Sequence, residues 1–179
     1  MSRIVALDPE KVQGKAKELL GTIKAKAGGL PNIFKTMAHS PVALQAYLGL
    51  SGALAQSVLS AQLKEKIALA VGEENQCAYC LAAHSAIGKK AGLSDAEIET
   101  ARRAKDKDAK ESAILQFAKN LCKNRGNISD QELQAVRQAG CSDEEIIEVV
   151  VAVSLNIFTN YFNHVAEPTV DFPQAKPLS

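Results

Sequence analysis

Apolar residues recur every three to four positions along almost the whole chain, the period of a helix with one buried face. Val12, Ala16, Leu19, Leu20 and Ile23 form the first such stripe, closed by Gly28-Gly29. Asp8-Pro9 ahead of it predicts an N-cap followed by proline at the first helical position. Leu30-Pro31-Asn32-Ile33-Phe34 restarts a short helix to about His39, and Ser40-Pro41 opens the next, through Leu44, Tyr47, Leu48 and Leu54. Ser60 begins a helix with Leu63, Ile67, Ala70 and Val71 on one face, ending in Glu73-Glu74-Asn75-Gln76. A further helix runs from about Ala78 to Ala91 before Gly92. Ser94, Ser129 and Ser142 each precede a Glu by three residues, the capping-box signature of a helix start. Helices are predicted there and over roughly 108–124, 130–139 and 143–163. Ala91–Ile98 and Ala139–Ile146 echo each other, which common capping chemistry explains as well as duplication does. No alternating strand pattern stands out. The expected fold is all-α, a bundle of about eight or nine helices in one domain over 1–166. Pro168, Pro173 and Pro177 make 167–179 an extended arm, since proline cannot continue a helix.

Composition narrows the function classes. The chain has 179 residues, 21 Lys and Arg against 20 Asp and Glu, and no Trp. A balanced charge gives no field for nucleic acid, and 4% aromatic residues give no stacking surface for bases. The basic residues do lean towards the first 126 positions, which solvated helix faces or complementary surfaces of a homo-oligomer would both explain. Asp8, Pro9 and Glu10 interrupt any signal-peptide core, and the aliphatic run 149–153 is far short of a membrane span. These features predict a cytoplasmic protein. Four cysteines are too few for a disulfide scaffold, and in a reducing cytoplasm they are free, metal-bound or redox-active.

Two of them carry the candidate chemistry. Cys77 and Cys80 form a C-x-x-C at a predicted helix start, where unpaired N–H groups and the helix dipole favour a thiolate. His84 lies one turn beyond Cys80, in the arrangement of a nucleophile and its base. The spacing alone leaves three readings open: a redox pair, half of a zinc site completed by His84 with His39, His164 or Cys122, or packed small hydrophobes. Glu65, between two lysines on the preceding helix, reads as a solvated charge or, if half-buried, as a proton shuttle. Cys122 and Cys141 lie outside the motif and read as structural.

Glu65, eleven residues, then Cys77-x-x-Cys80-x-x-x-His84, with Asn75 two before the first cysteine, resembles the alkylhydroperoxidase AhpD-like branch of the carboxymuconolactone decarboxylase superfamily. The core of the resemblance covers about 50–135. Gly29–Phe34, Ser40-Pro41, Phe158–His164 and Asp171-Phe172-Pro173 resemble the flanks of its peroxidase-related members. The resemblance implies an all-helical homo-oligomer (dimer, trimer or hexamer) and a thiol-dependent peroxidase acting on a hydroperoxide. It implies Cys80 as the peroxidatic cysteine, Cys77 as the resolving one, His84 as acceptor of the Cys80 proton and Glu65 as the end of the relay. It implies a dithiol reductant, such as a lipoylated or thioredoxin-like protein, and requires no metal, haem or flavin. In that family a His often stands between the cysteines; here Tyr79 occupies the place beside Cys80, to donate a hydrogen bond or to pack. Two other functions compete: decarboxylation of a carboxymuconolactone-type acid, which needs no C-x-x-C, and a non-catalytic thiol redox sensor.

Overall fold

A computed structural model describes residues 2–178. Among the described residues it contains nine α-helices and no strand, the all-α fold expected. They are α1 (Gly14–Ala27), α2 (Asn32–Met37), α3 (Pro41–Leu54), α4 (Ala61–Glu74), α5 (Ala78–Lys90), α6 (Asp95–Arg102), α7 (Ala109–Lys123), α8 (Asp130–Gln138) and α9 (Asp143–Ala166). The starts follow cap chemistry. Ser40 and Ser60 accept from Ala43 N and Leu63 N, and all three capping boxes form, at Ser94/Glu97, Ser129/Glu132 and Ser142/Glu145. The two halves of the sequence echo end alike, with Gly92 and Gly140 in left-handed conformation.

The first helix starts later than expected. Asp8 does not cap it. Its carboxylate instead accepts from Glu10 N and its carbonyl from Lys11 N, closing a separate turn. Gly14, at φ 61°, then breaks the backbone, so the helix begins there and Val12 is buried ahead of it. At the other end α9 runs to Ala166, three residues past the expected limit. Glu167 adopts the left-handed conformation before Pro168, whose ring disfavours another helical residue ahead of it.

Two apolar clusters fill the bundle. The larger centres on α4 and gathers α6, α7 and the first half of α9 around Ile67, Leu69, Leu115 and Val149. The smaller joins α1, α2 and α3 to the start of α5 through Leu20, Met37, Leu44, Cys77, Tyr79 and Cys80. Phe158, Phe162 and Phe172 cover it from α9 and the C-terminal segment. By length and composition α9 is long and apolar enough to cross a membrane, a property the short run 149–153 did not reveal. In the bundle it packs against α3, α4, α5 and α7, with Ala152, Val153, Asn156, Asn160 and Asn163 buried.

The capping boxes make a pH prediction. Amide and hydroxyl hydrogen bonds from Ser94 pull Glu97 down to about 2. Ser129 lowers Glu132 in the same way, and Lys110 with Ser142 lowers Glu145. A carboxylate depressed in the fold stabilises it fully above the ordinary glutamate value and loses that contribution as pH falls towards the folded value. The thermal midpoint, followed by far-ultraviolet circular dichroism, should therefore fall between about pH 5 and pH 2. Glu97→Gln should flatten that fall while lowering the midpoint at neutral pH.

Candidate functional site

α4 and α5 form an antiparallel helical hairpin. Its turn is tight: Gln76 takes φ 55° and Cys77 N donates back to Gly72 O at 2.9 Å. In such a hairpin, positions equally far from the turn face each other, which brings Glu65 on α4 opposite His84 on α5. Glu65 Oε2 lies 2.7 Å from His84 Nδ1, and both side chains are mostly shielded from solvent. Glu65 is thus paired and half-buried rather than a solvated charge.

Cys77 is the N-cap of α5, and its sulfur accepts from Cys80 N at 3.3 Å. The two cysteines form a disulfide with a Cα–Cα distance of 5.3 Å, buried in the smaller cluster at 1% and 3% exposure. Two carboxamides from α9 reach the pair. Asn160 Nδ2 donates to Cys80 Sγ at 2.9 Å and Asn163 Nδ2 at 3.2 Å, whereas Asn163 lies 3.8 Å from Cys77 Sγ. Asn160 Oδ1 accepts from Asn75 Nδ2 at 2.8 Å, and Asn75 Oδ1 accepts from the Cys122 thiol at 3.3 Å. This chain of bonds fixes the Asn160 amide with its N–H₂ towards sulfur. Asn163 Oδ1 is buried and without a hydrogen-bond partner.

No role was read for these asparagines in the sequence, where Phe158–His164 entered only as a flank of the family resemblance. A signal was present: Asn156, Asn160 and Asn163 recur at helical spacing within an otherwise apolar segment, so polar groups line a buried face. Tyr79 does both things foreseen for it. Its hydroxyl donates to Asp171 Oδ1 at 2.6 Å and accepts from Ile33 N, and its ring meets Phe172 edge-on. Burial and then the Asp171 bond hold the phenol far above its ordinary pKa, so it remains a donor. Asp171 also accepts from Asn32 N, and the Asn32 side chain donates to Thr169 O. The segment 169–172 is thereby strapped across the starts of α2 and α5.

None of the other sulfur and imidazole groups contacts the disulfide, although Cys122 is linked to it through Asn75 and Asn160. His39 Nε2 meets Val5 O at 2.9 Å, and His164 sits in the last turn of α9. Cys122 and Cys141 are buried, and burial pushes both thiols up from their ordinary pKa. Among the described residues no three His, Cys, Asp or Glu side chains converge as a metal cluster would require. A recess of about 400 Å³ beside the disulfide is lined by Cys77, Ala78, Asn163, His164 and Pro168 among others.

Residues 41–120, from α3 into α7, match the model of the carboxymuconolactone decarboxylase family. Among solved structures it is similar to an uncharacterised peroxidase-related protein with an alkylhydroperoxidase AhpD core from Ralstonia eutropha JMP134. That likeness has a TM-score of 0.82 at 24% identity and covers 95% of this chain and 92% of that one. A peroxidase-related protein from Silicibacter sp. TM1040 aligns with a TM-score of 0.75, 24% identity and coverage of 98% and 94%. The debrominase Bmp8, solved in complex with 2,3,4-tribromopyrrole, aligns with a TM-score of 0.81, 19% identity and coverage of 96% and 92%. At these identities the likeness establishes the fold. A comparison with curated proteins found no match.

Proposed function

We propose that this protein is a thiol-dependent peroxidase that reduces hydrogen peroxide or organic hydroperoxides through a dithiol–disulfide cycle at Cys77 and Cys80. The observation that carries this reading is the setting of Cys80. It stands in the first turn of α5, it is bonded to Cys77, and two buried carboxamide N–H groups aim at its sulfur. In the reduced protein those donors and the helix start stabilise a thiolate. The thiolate attacks one peroxide oxygen, the O–O bond breaks, and Cys80 becomes a sulfenic acid. Cys77 condenses with it, water leaves, and the disulfide forms. A dithiol then reduces the pair by exchange.

His84 and Glu65 are the proton relay in this scheme. Glu65 engages Nδ1, which leaves Nε2 to take the Cys80 proton and return it to the departing oxygen. The cycle needs no metal, haem or flavin. A reducing cytoplasm suits it, because the pair must be returned to thiols. A lipoylated or thioredoxin-like protein is the expected donor, and a homo-oligomer the expected assembly. Ile147, Val150, Tyr161 and Val165 form an exposed apolar stripe along α9 that a second copy would cover.

The test is one equivalent of hydrogen peroxide or tert-butyl hydroperoxide on the reduced protein, followed by peptide mass spectrometry. A Cys77–Cys80 disulfide should form, and Cys77→Ser should trap a sulfenate on Cys80. His84→Gln or Glu65→Gln should slow peroxide consumption by about 10²-fold. Turnover of a carboxymuconolactone-type acid by thiol-alkylated protein would replace this reading with a decarboxylase. 2,3,4-Tribromopyrrole belongs in the same assay, given the debrominase among the similar folds. A change of assembly on oxidation without turnover would mark a redox sensor.

A further inference from the structure

We infer that Asn160 and Asn163 assign unequal roles to the two sulfurs during reduction: the donor thiol attacks Cys77, and Cys80 is the leaving thiolate. The inference rests on the dithiol–disulfide cycle proposed above and deepens it, by naming the sulfur at which electrons enter.

Three observations converge. First, the hydrogen bonds are lopsided. Cys80 Sγ receives both carboxamides, at 2.9 and 3.2 Å, while Cys77 Sγ has the Cys80 amide at 3.3 Å and the longer 3.8 Å contact to Asn163. A sulfur met by more donors leaves more readily, because exchange is faster when the leaving thiol is more acidic. The Asn75 bond makes this arrangement directional, since it prevents Asn160 from turning its oxygen towards the sulfur. Second, Cys77 borders the recess beside the pair and Cys80 does not, both sulfurs being nearly sealed at 1% and 3% exposure. Third, Asn163 Oδ1 is a buried acceptor with nothing to accept in the disulfide form. The reduced pair supplies what it lacks, a thiol proton on Cys77, while the N–H₂ of the same side chain continues to serve Cys80. The site is best satisfied with one proton on the pair, carried by Cys77.

The donor, a small or protein-borne dithiol, attacks Cys77 Sγ as a thiolate. The Cys77–Cys80 bond breaks, and its electron pair leaves on Cys80. A donor–Cys77 mixed disulfide remains. The donor's second thiol loses its proton to solvent and attacks the donor sulfur of that bond. Cys77 leaves and takes up a proton. The donor ends as a disulfide, and the protein pair has gained two electrons. Asn160 and Asn163 are positioning residues here, acting on the charge at sulfur.

The experiment uses the oxidised wild-type protein. A limiting monothiol, N-acetylcysteine, forms the mixed disulfide but cannot resolve it, and rapid iodoacetamide quenching alkylates the sulfur that leaves. Tandem mass spectrometry of the peptide covering 67–89 then locates both marks. The expected result is N-acetylcysteine on Cys77 and carbamidomethyl on Cys80, in at least about tenfold excess over the reverse. An excess on Cys80, an even distribution, or no adduct at either sulfur overturns the inference. A second readout is the pH profile of Cys80 alkylation in the reduced protein. Asn160→Ala and Asn163→Ala should each move its midpoint up by about one pH unit; an unmoved midpoint in folded variants overturns the role of the carboxamides. If the variants fail to fold, the wild-type adduct position still decides. The peroxidase reading fails separately: peroxide that leaves the reduced pair unoxidised sinks it even when the adduct sits on Cys77.

Discussion

Cys80→Ser is expected to reduce peroxide consumption to the uncatalysed rate, a loss of at least about 10³-fold in the presence of a small dithiol. Serine is close in size to cysteine, and its hydroxyl still meets the Asn160 and Asn163 amides, so the fold should survive. What disappears is the nucleophile, because a hydroxyl at this position has no thiolate to offer. Cys77→Ser should behave differently. With no external thiol present, its first oxidation remains and gives a single burst of one equivalent, after which Cys80 is held as the sulfenic acid and turnover stalls. Initial rates and burst amplitudes, measured side by side with circular dichroism of each variant, separate the two roles. Full activity of Cys80→Ser with dithiol would end the peroxidase reading.

The largest effect on stability is expected at Lys66. Its ammonium lies 2.6 Å from both Asp106 and Glu111, and the side chains are 6%, 2% and 29% exposed. Burial works against the charge on Lys66, but the bonds to Asp106 and Glu111 outweigh it and hold the lysine above its ordinary pKa. Burial likewise opposes the charge on Asp106, and the Lys66 and Asp108 bonds overcome that to lower it. Lys66→Met fills the space but strands the Asp106 carboxylate. Breaking a buried ion pair from one side costs about 3–5 kcal/mol, which in a chain of this length lowers the melting temperature by on the order of 10 °C. The pH dependence identifies the cause. In the wild type, the Lys66 contribution is present below the ordinary lysine value and the Asp106 contribution above the ordinary aspartate value, so the triad stabilises throughout the neutral range. In Lys66→Met only the Asp108 amide still opposes the burial of Asp106, so its pKa should rise and its protonation relieve the penalty. The deficit, read from urea denaturation, should therefore shrink as pH falls from 7 towards 4.

The sequence made the helices legible because their starts are local chemistry. Ser94, Ser129 and Ser142 each satisfy amides within three residues, and the apolar stripes need only the helical period. The late start of α1 escaped because Asp8 had two local uses, and only Gly14's left-handed backbone decides between them. Glu65 and His84 were joined in the sequence only by the family resemblance, and the hairpin is what brings them to 2.7 Å. Asn160 and Asn163 were not tied to Cys80, since a contact across eighty residues depends on how α9 lies along α5, which tertiary packing settles. The Tyr79–Asp171 bond was hidden for the same reason: proline marks 167–178 as non-helical but does not say what the segment lies on.

Both sulfurs lie within the smaller cluster, between α1 to α3 and the strap 169–172, beside the recess at Cys77. An oxidant or reductant must therefore pass before it can react. In the peroxidase proposed above, girth and the ease of leaving water behind would then sort peroxides on the way in, more than recognition of any one group at the sulfur. Such a filter is indifferent to what the rest of the molecule is.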